Sequence, residues 1–163
     1  MTENRSSVIV VGVDDSPASV AALVFAMREG VRRQSAVEAV TVWYFNNPFH
    51  LDGGPDLSND VETGARQMQE HQVNQALEQL DAAPSVSRVL VRDEHTARAL
   101  LESAQDASFL VVGHMVHKHL SERLLGSTSH HVLRHSHQPV TVVPYPVDVE
   151  AGHHHEEQEV AST

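Results

Sequence analysis

Five short apolar runs recur along the chain, each separated from the next by a segment with helical spacing. They are Ser7–Val13 (SVIVVGV), Ala36–Tyr44 (AVEAVTVWY), Val86–Val91, Phe109–Gly113 (FLVVG) and Pro139–Val143 (PVTVV). Runs this rich in β-branched residues, without polar alternation, read as strands buried on both faces, as in a parallel sheet. After the first run, Ser16 is placed to cap a helix and Pro17 to occupy its first position. That helix continues through Leu23, Phe25 and Met27 to about Gly30. Asn59 opens a capping box with Glu62 ahead of a second helix carrying Ala65, Met68, Val73, Ala76 and Leu80. Thr96 caps a short third helix with Leu100, Leu101 and Ala104, and a fourth starts near Gly126-Ser127. The order β-α-β-α-β-α-β-α-β predicts an open five-stranded parallel α/β sheet with helices on both faces. Right-handed crossovers leave the strand order 3-2-1-4-5. The crevice of such a sheet opens at the carboxyl ends of strands 1 and 4, here Gly12-Val13-Asp14-Asp15 and Val112-Gly113-His114.

A chain of 163 residues, 40% of them apolar, suits one domain with one core. The expected domain is 1–146, interrupted by a long Pro/Gly/Asn-rich loop over 45–58. Residues 147–163 are acidic and His-rich with little core material, and are expected to be a disordered tail. No apolar run approaches the roughly 18 residues of a membrane span. Met1–Ser7 is short and polar, so the expected address is cytoplasmic. There are no cysteines, which excludes disulfides, thiolate catalysis and Cys-ligated metal sites. The net charge of −11 disfavours nucleic acid as a partner, because phosphate backbones need a basic patch. Thirteen histidines are the unusual feature, and protonating all of them carries the charge from −11 to +2.

Phe109–Pro144 reads strand, loop, Gly126-Ser127-Thr128, helix, strand. A helix starting at Gly-Ser-Thr offers free backbone N–H groups, a favourable dipole and two hydroxyls to an anion. The same residues can equally cap their own helix. This segment resembles the C-terminal signature of the universal stress protein family, G-x2-G-x9-G-[S/T], through Gly113, position 116, Gly126 and Ser127. VIVVGVDDSPASVAAL resembles that family's first strand, acidic turn and first helix. VRDEHTARALLESAQDASFLVVG resembles its third to fourth strand. The resemblance covers roughly Val8 to Pro144 and implies a Rossmann-like fold akin to the adenine nucleotide alpha hydrolases. It further implies a crevice for ATP or AMP. Carried over by position, Gly12 and Asp14 lie at the adenine or ribose end and Val42 flanks the base. Gly113, Val116, Gly126, Ser127 and Thr128 lie along the ribose and phosphates.

The departure from the signature is Val116, where the family has its second glycine, with Met115 beside it. Valine resists positive φ and adds bulk, so the expectation is a degraded phosphate site with weak or absent ATP binding. His114, His117 and His119 are expected on a loop over the pocket, where protonated His117 and His119 with Lys118 would restore phosphate contacts at low pH. His131 and His135 stand four apart on the fourth helix and form a candidate metal pair. His153–His155 in the tail form a weaker one. No P-loop lysine, nucleophile elbow or Ser-His-Asp pattern is present, and no enzyme is predicted. Strand 5, Val140 to Val143, is expected at a sheet edge, and the resemblance implies a homodimer through it. The leading expectation is a non-enzymatic stress-response binding module. The alternatives are a competent ATP/AMP sensor and a metal- or pH-responsive His-rich protein.

Overall fold

The computed structural model describes residues 7–46, 57–117 and 125–147. Nine elements alternate through them: β1 (Val8–Gly12), α1 (Pro17–Arg33), β2 (Ala36–Trp43), α2 (Ser58–Leu77), β3 (Val86–Arg92), α3 (Thr96–Ser103), β4 (Phe109–His117), α4 (Ser127–His135) and β5 (Val140–Val147). The strands form one sheet in the order β3-β2-β1-β4-β5, with every neighbouring pair parallel. This is the predicted doubly wound order. Central β1 pairs Ile9 with Val37 on one side and with Phe109 on the other.

Side chains alternate across a strand, so each buried run feeds two cores. Ile9, Val11, Val37, Ala39 and Val111 face the layer of α1 and α2, where Leu23, Met27, Val73 and Ala76 complete one cluster. Val10, Val40, Leu110 and Val112 face the other layer, with Leu100, Ala104 and Val132. Ile9, Val10 and Val11 are all fully buried, which explains why β1 shows no polar alternation.

The start of α1 is as predicted: Ser16 is the N-cap, its Oγ accepts from Ser19 N at 3.3 Å, and Pro17 opens the helix. Its end is not. α1 runs past Gly30 to Arg33 and stops at Gln34 in the left-handed region (φ 53). Gly30 sits inside the helix because a Cβ there would meet Pro84, Ser35 O and Val37, each at 3.0 Å. The capping box at Asn59 does not form either. α2 begins one residue earlier, with Leu57 O accepting from Asp60 N and Val61 N, and Glu62 pairs forward with Arg66 at 2.8 Å. Thr96 is the first residue of α3 rather than its cap. Asp93 organises that turn instead, accepting from His95 N at 2.7 Å and from Arg98 Nη2 at 2.8 and 2.9 Å.

The largest departure concerns β4. It does not stop at Gly113 but continues through His117, paired with β5 as far as Val147. His114 and His117 therefore belong to a strand, not to a loop. Lys118 and His119, most of the predicted 45–58 loop and the tail from 148 onward lie outside the described residues. No helix among the described residues is long and apolar enough to cross a membrane.

Candidate functional site

The carboxyl end of β1 leads into a turn organised by one carboxylate. Asp14 Oδ1 accepts from Ser16 N (3.0 Å), from Ser16 Oγ and from Ser19 Oγ (2.6 Å). Ser19 Oγ in turn accepts from Asp14 N at 2.9 Å. The turn is tied to β2 by Val13 N donating to Val40 O (2.8 Å) and Thr41 Oγ1 donating to Val13 O (3.0 Å). Asp14 Oδ2 accepts no hydrogen bond from the described residues.

The middle of β4, at Gly113, approaches the first turn of α1 very closely. A Cβ on Gly113 would lie 2.5 Å from Ala18 O and 2.6 Å from Ala18 C, in the first turn of α1. The first signature glycine is thus needed for backbone packing between β4 and α1. On the other side of β4, Ser129 Oγ donates to Gly113 O at 3.3 Å and draws α4 toward the strand.

Between the β1 turn, Val112 and Gly113 in the middle of β4, α3 and the start of α4 lies a crevice of about 220 Å³. Its walls bring together Gly12, Asp14, Val42, Gly113 and Thr128 of the predicted set. Ser16, Ser19, Thr96, Leu100 and Ser129 join them without having been predicted. Of these, Ser19 had a legible signal, since it stands three residues after the cap Ser16, where a side chain can return to the turn. Leu100 and Thr96 enter because α3 packs against β2 and α4 with Leu100 beside Gly12, a tertiary fact with no local trace. The floor is apolar, from Val40, Val42, Leu100 and Val112, and among the described residues Asp14 is the one charged residue in the lining.

Three predicted residues stand apart. Ser127 lines a separate groove on the outer side of α3 and α4 with Thr128, His131 and His135. Gly126 is the N-cap of α4 in an extended conformation (φ −57, ψ 156) open to any residue, and lines neither recess. Val116 pairs with Pro146 inside the sheet and is not in the crevice lining. Among the described non-glycine residues, only Gln34 and Asp106 have positive φ, so the backbone strain expected at Val116 is not there. A strand accommodates valine better than glycine, in keeping with the place of Val116 inside β4.

His131 and His135 share an exposed helix face as their spacing predicted. Their rings stack at 4.2 Å, and His135 Nδ1 lies 2.9 Å from His131 O. Among the described residues, no three His, Asp or Glu side chains are grouped to hold a metal ion. Arg98, in the same groove, is engaged by Asp93. That contact, followed by the bond from His95 N, holds the Asp93 carboxyl below the usual aspartate range.

Comparison with known proteins bears on the family and the fold. The model of the Universal stress protein family matches residues 6–144. A universal stress protein of Mycobacterium tuberculosis is 29% identical over 157 residues, covering 86% of this chain and 48% of its own length. The chain thus spans about half the length of that curated relative. The crystal structure of a universal stress protein in complex with cAMP superposes with a TM-score of 0.58 at 21% identity, covering 86% of this chain and 98% of that one. The universal stress protein of Archaeoglobus fulgidus in complex with dAMP gives 0.57 at 17% identity, covering 83% and 95%. With the family model matching residues 6–144, and so every strand but the last few residues of β5, the chain belongs to the universal stress protein family.

Proposed function

We propose that this chain is a non-enzymatic stress-response binding module whose crevice takes an adenine mononucleotide and grips a triphosphate poorly. The observation that carries the reading is the crevice lining: among the described residues it has an apolar floor, hydroxyls and one acid, with no Lys, Arg or His. An adenine ring suits the floor of Val40, Val42, Leu100 and Val112. A ribose hydroxyl suits Asp14 Oδ2. One phosphate suits the start of α4, where Gly126 offers no side-chain cap to the first N–H groups. Successive phosphates each add negative charge, and triphosphate sites supply cations to meet it. Here those charges meet Asp14. The two related structures solved with cAMP and dAMP support the ligand class. The three donors on Asp14 Oδ1 fix that carboxylate in the turn, which supports a binding role for it.

Calorimetric titration at pH 7.5 with AMP, ADP and ATP tests this. The expected result is AMP binding at least as tightly as ATP, with ATP weaker than micromolar. ATP binding more tightly than AMP, or at sub-micromolar concentration, would contradict it.

The same proposal includes a homodimer through β5. That strand is at a sheet edge, its segment Val140–Val143 is only half-buried, and Pro144–Pro146 are exposed. Edge strands of this kind invite a second chain, and a two-fold arrangement covers both edges at once. Sedimentation at tens of micromolar is expected to give twice the chain mass, and a monomer would overturn this part.

A further inference from the structure

Behind the crevice, a chain of buried hydrogen bonds runs from α2 through β2 to the β1 turn. Gln69 of α2 is 1% exposed and Thr41 of β2 is 2% exposed. Gln69 Nε2 donates to Thr41 Oγ1 at 3.1 Å, to Ala39 O at 3.0 Å and to Val89 O at 2.9 Å. Three oxygens around one nitrogen settle which way that amide points. Thr41 Oγ1 therefore accepts from Gln69, and its own hydrogen goes to Val13 O at 3.0 Å.

Val13 O is where the β1–β2 ladder gives out. The register ends at Gly12 and Val40, and Val13 N makes the last bond, to Val40 O. The next carbonyl is met by the Thr41 side chain instead. The same peptide unit is held at its other end, where Asp14 N donates to Ser19 Oγ at 2.9 Å. A peptide unit is planar, so two held ends fix the plane that carries the Asp14 Cα. Asp14 Oδ1 is already tied to Ser16 and Ser19, so the tilt of that plane decides where Oδ2 comes to lie.

Gln69 shares its buried helix face with Val73 and Ala76, where an apolar residue would serve the core. Burying an amide there costs free energy unless its bonds are made. Ala39 and Val89 stand in the paired β2–β3 ladder, so their carbonyls do not depend on this amide. The bond to Thr41 is the one that leads to the crevice.

We infer that Gln69 and Thr41 are positioning residues for the nucleotide crevice: they hold the Val13–Asp14 peptide so that Asp14 Oδ2 is presented to a ribose hydroxyl. Neither residue is in the crevice lining, and they act only through Val13 and Asp14. This rests on the nucleotide reading of the crevice and adds the residues that let it favour a ribosylated base over the base alone.

Nuclear magnetic resonance titration with AMP and with 9-methyladenine, which carries the base without the ribose, tests the role. Thr41→Val keeps the shape and loses the hydroxyl. It should weaken AMP by about three- to tenfold and leave 9-methyladenine unchanged. Thr41→Ser keeps the hydroxyl and loses a buried methyl, so it should bind AMP within about twofold of the parent while being the less stable of the two. Gln69→Met, which keeps the length without the amide, should weaken AMP by about two- to fivefold. Without ligand, the Asp14 amide should exchange with solvent at least about fivefold faster in Thr41→Val than in Thr41→Ser. This readout stays decisive if one variant binds poorly because it folds poorly. Affinity that follows stability across the variants, equal losses for the two ligands, or equal exchange at Asp14 would overturn the positioning role alone. A parent that binds no AMP would overturn the nucleotide reading and this role with it.

Discussion

Replacing Gly113 by alanine tests whether the first signature glycine is there for packing. The new Cβ would lie 2.5 Å from Ala18 O, 2.6 Å from Ala18 C and 2.9 Å from Ala18 Cβ. Relaxed carbon contacts stand at about 3.5 Å or more, so β4 and α1 must part by close to 1 Å. The atoms in the way are mostly backbone, and α1 is pinned there by the Asp14, Ser16 and Ser19 network. Overpacking of this kind costs about 1–3 kcal/mol. The reduced freedom of the unfolded chain returns about 0.4–1 kcal/mol. The net destabilisation is then about 1–2 kcal/mol, a fall in Tm of roughly 2–8 °C for a chain of this size. Urea denaturation followed by circular dichroism measures it. Gly126→Ser is the control: no described residue comes within 4 Å of a Cβ there, and serine is a better helix cap than glycine. Its stability should match or slightly exceed that of the parent. A Gly113→Ala protein as stable as the parent would refute the packing argument.

Two further predictions concern residues outside the crevice. Val116→Gly should leave ATP affinity within about threefold, because Val116 is extended and paired with Pro146, and should lower stability by about 1 kcal/mol through glycine's extra backbone freedom; a tenfold gain in ATP binding by calorimetry would show that the valine obstructs the site after all. Arg98 and His95 lower the Asp93 carboxyl in the folded state, so its contribution is intact above the unfolded aspartate value of about 4 and fades as pH falls through the lower folded value. Stability measured from pH 6 down to pH 3 should therefore drop less steeply in Asp93→Asn, and identical slopes would contradict the assignment.

The strand order was legible because each run is buried on two faces and therefore lacks polar alternation. Val10 and Val11 serve different cores, which only a central parallel strand requires. Helix starts were less legible. Ser16 capped as expected because Pro17 follows it, whereas Asn59 and Thr96 lost to competing local bonds, from Leu57 O and from the Asp93 side chain. The site was legible at Gly12, Asp14, Val42, Gly113 and Thr128, which flank the strand ends that topology brings together. It was not legible at Val116. The signature pattern places that residue in a phosphate loop, yet with valine there β-propensity and pairing to β5 carry it into the sheet.

Backbone amide mapping with AMP bears most directly on the crevice. Gly12–Ser19 at the β1 turn and Thr128–Ser129 at the start of α4 should shift together and saturate, with His71–Gln79 unmoved. Shifts confined to other surfaces, or none at millimolar AMP, would contradict a nucleotide site at the meeting of these two turns.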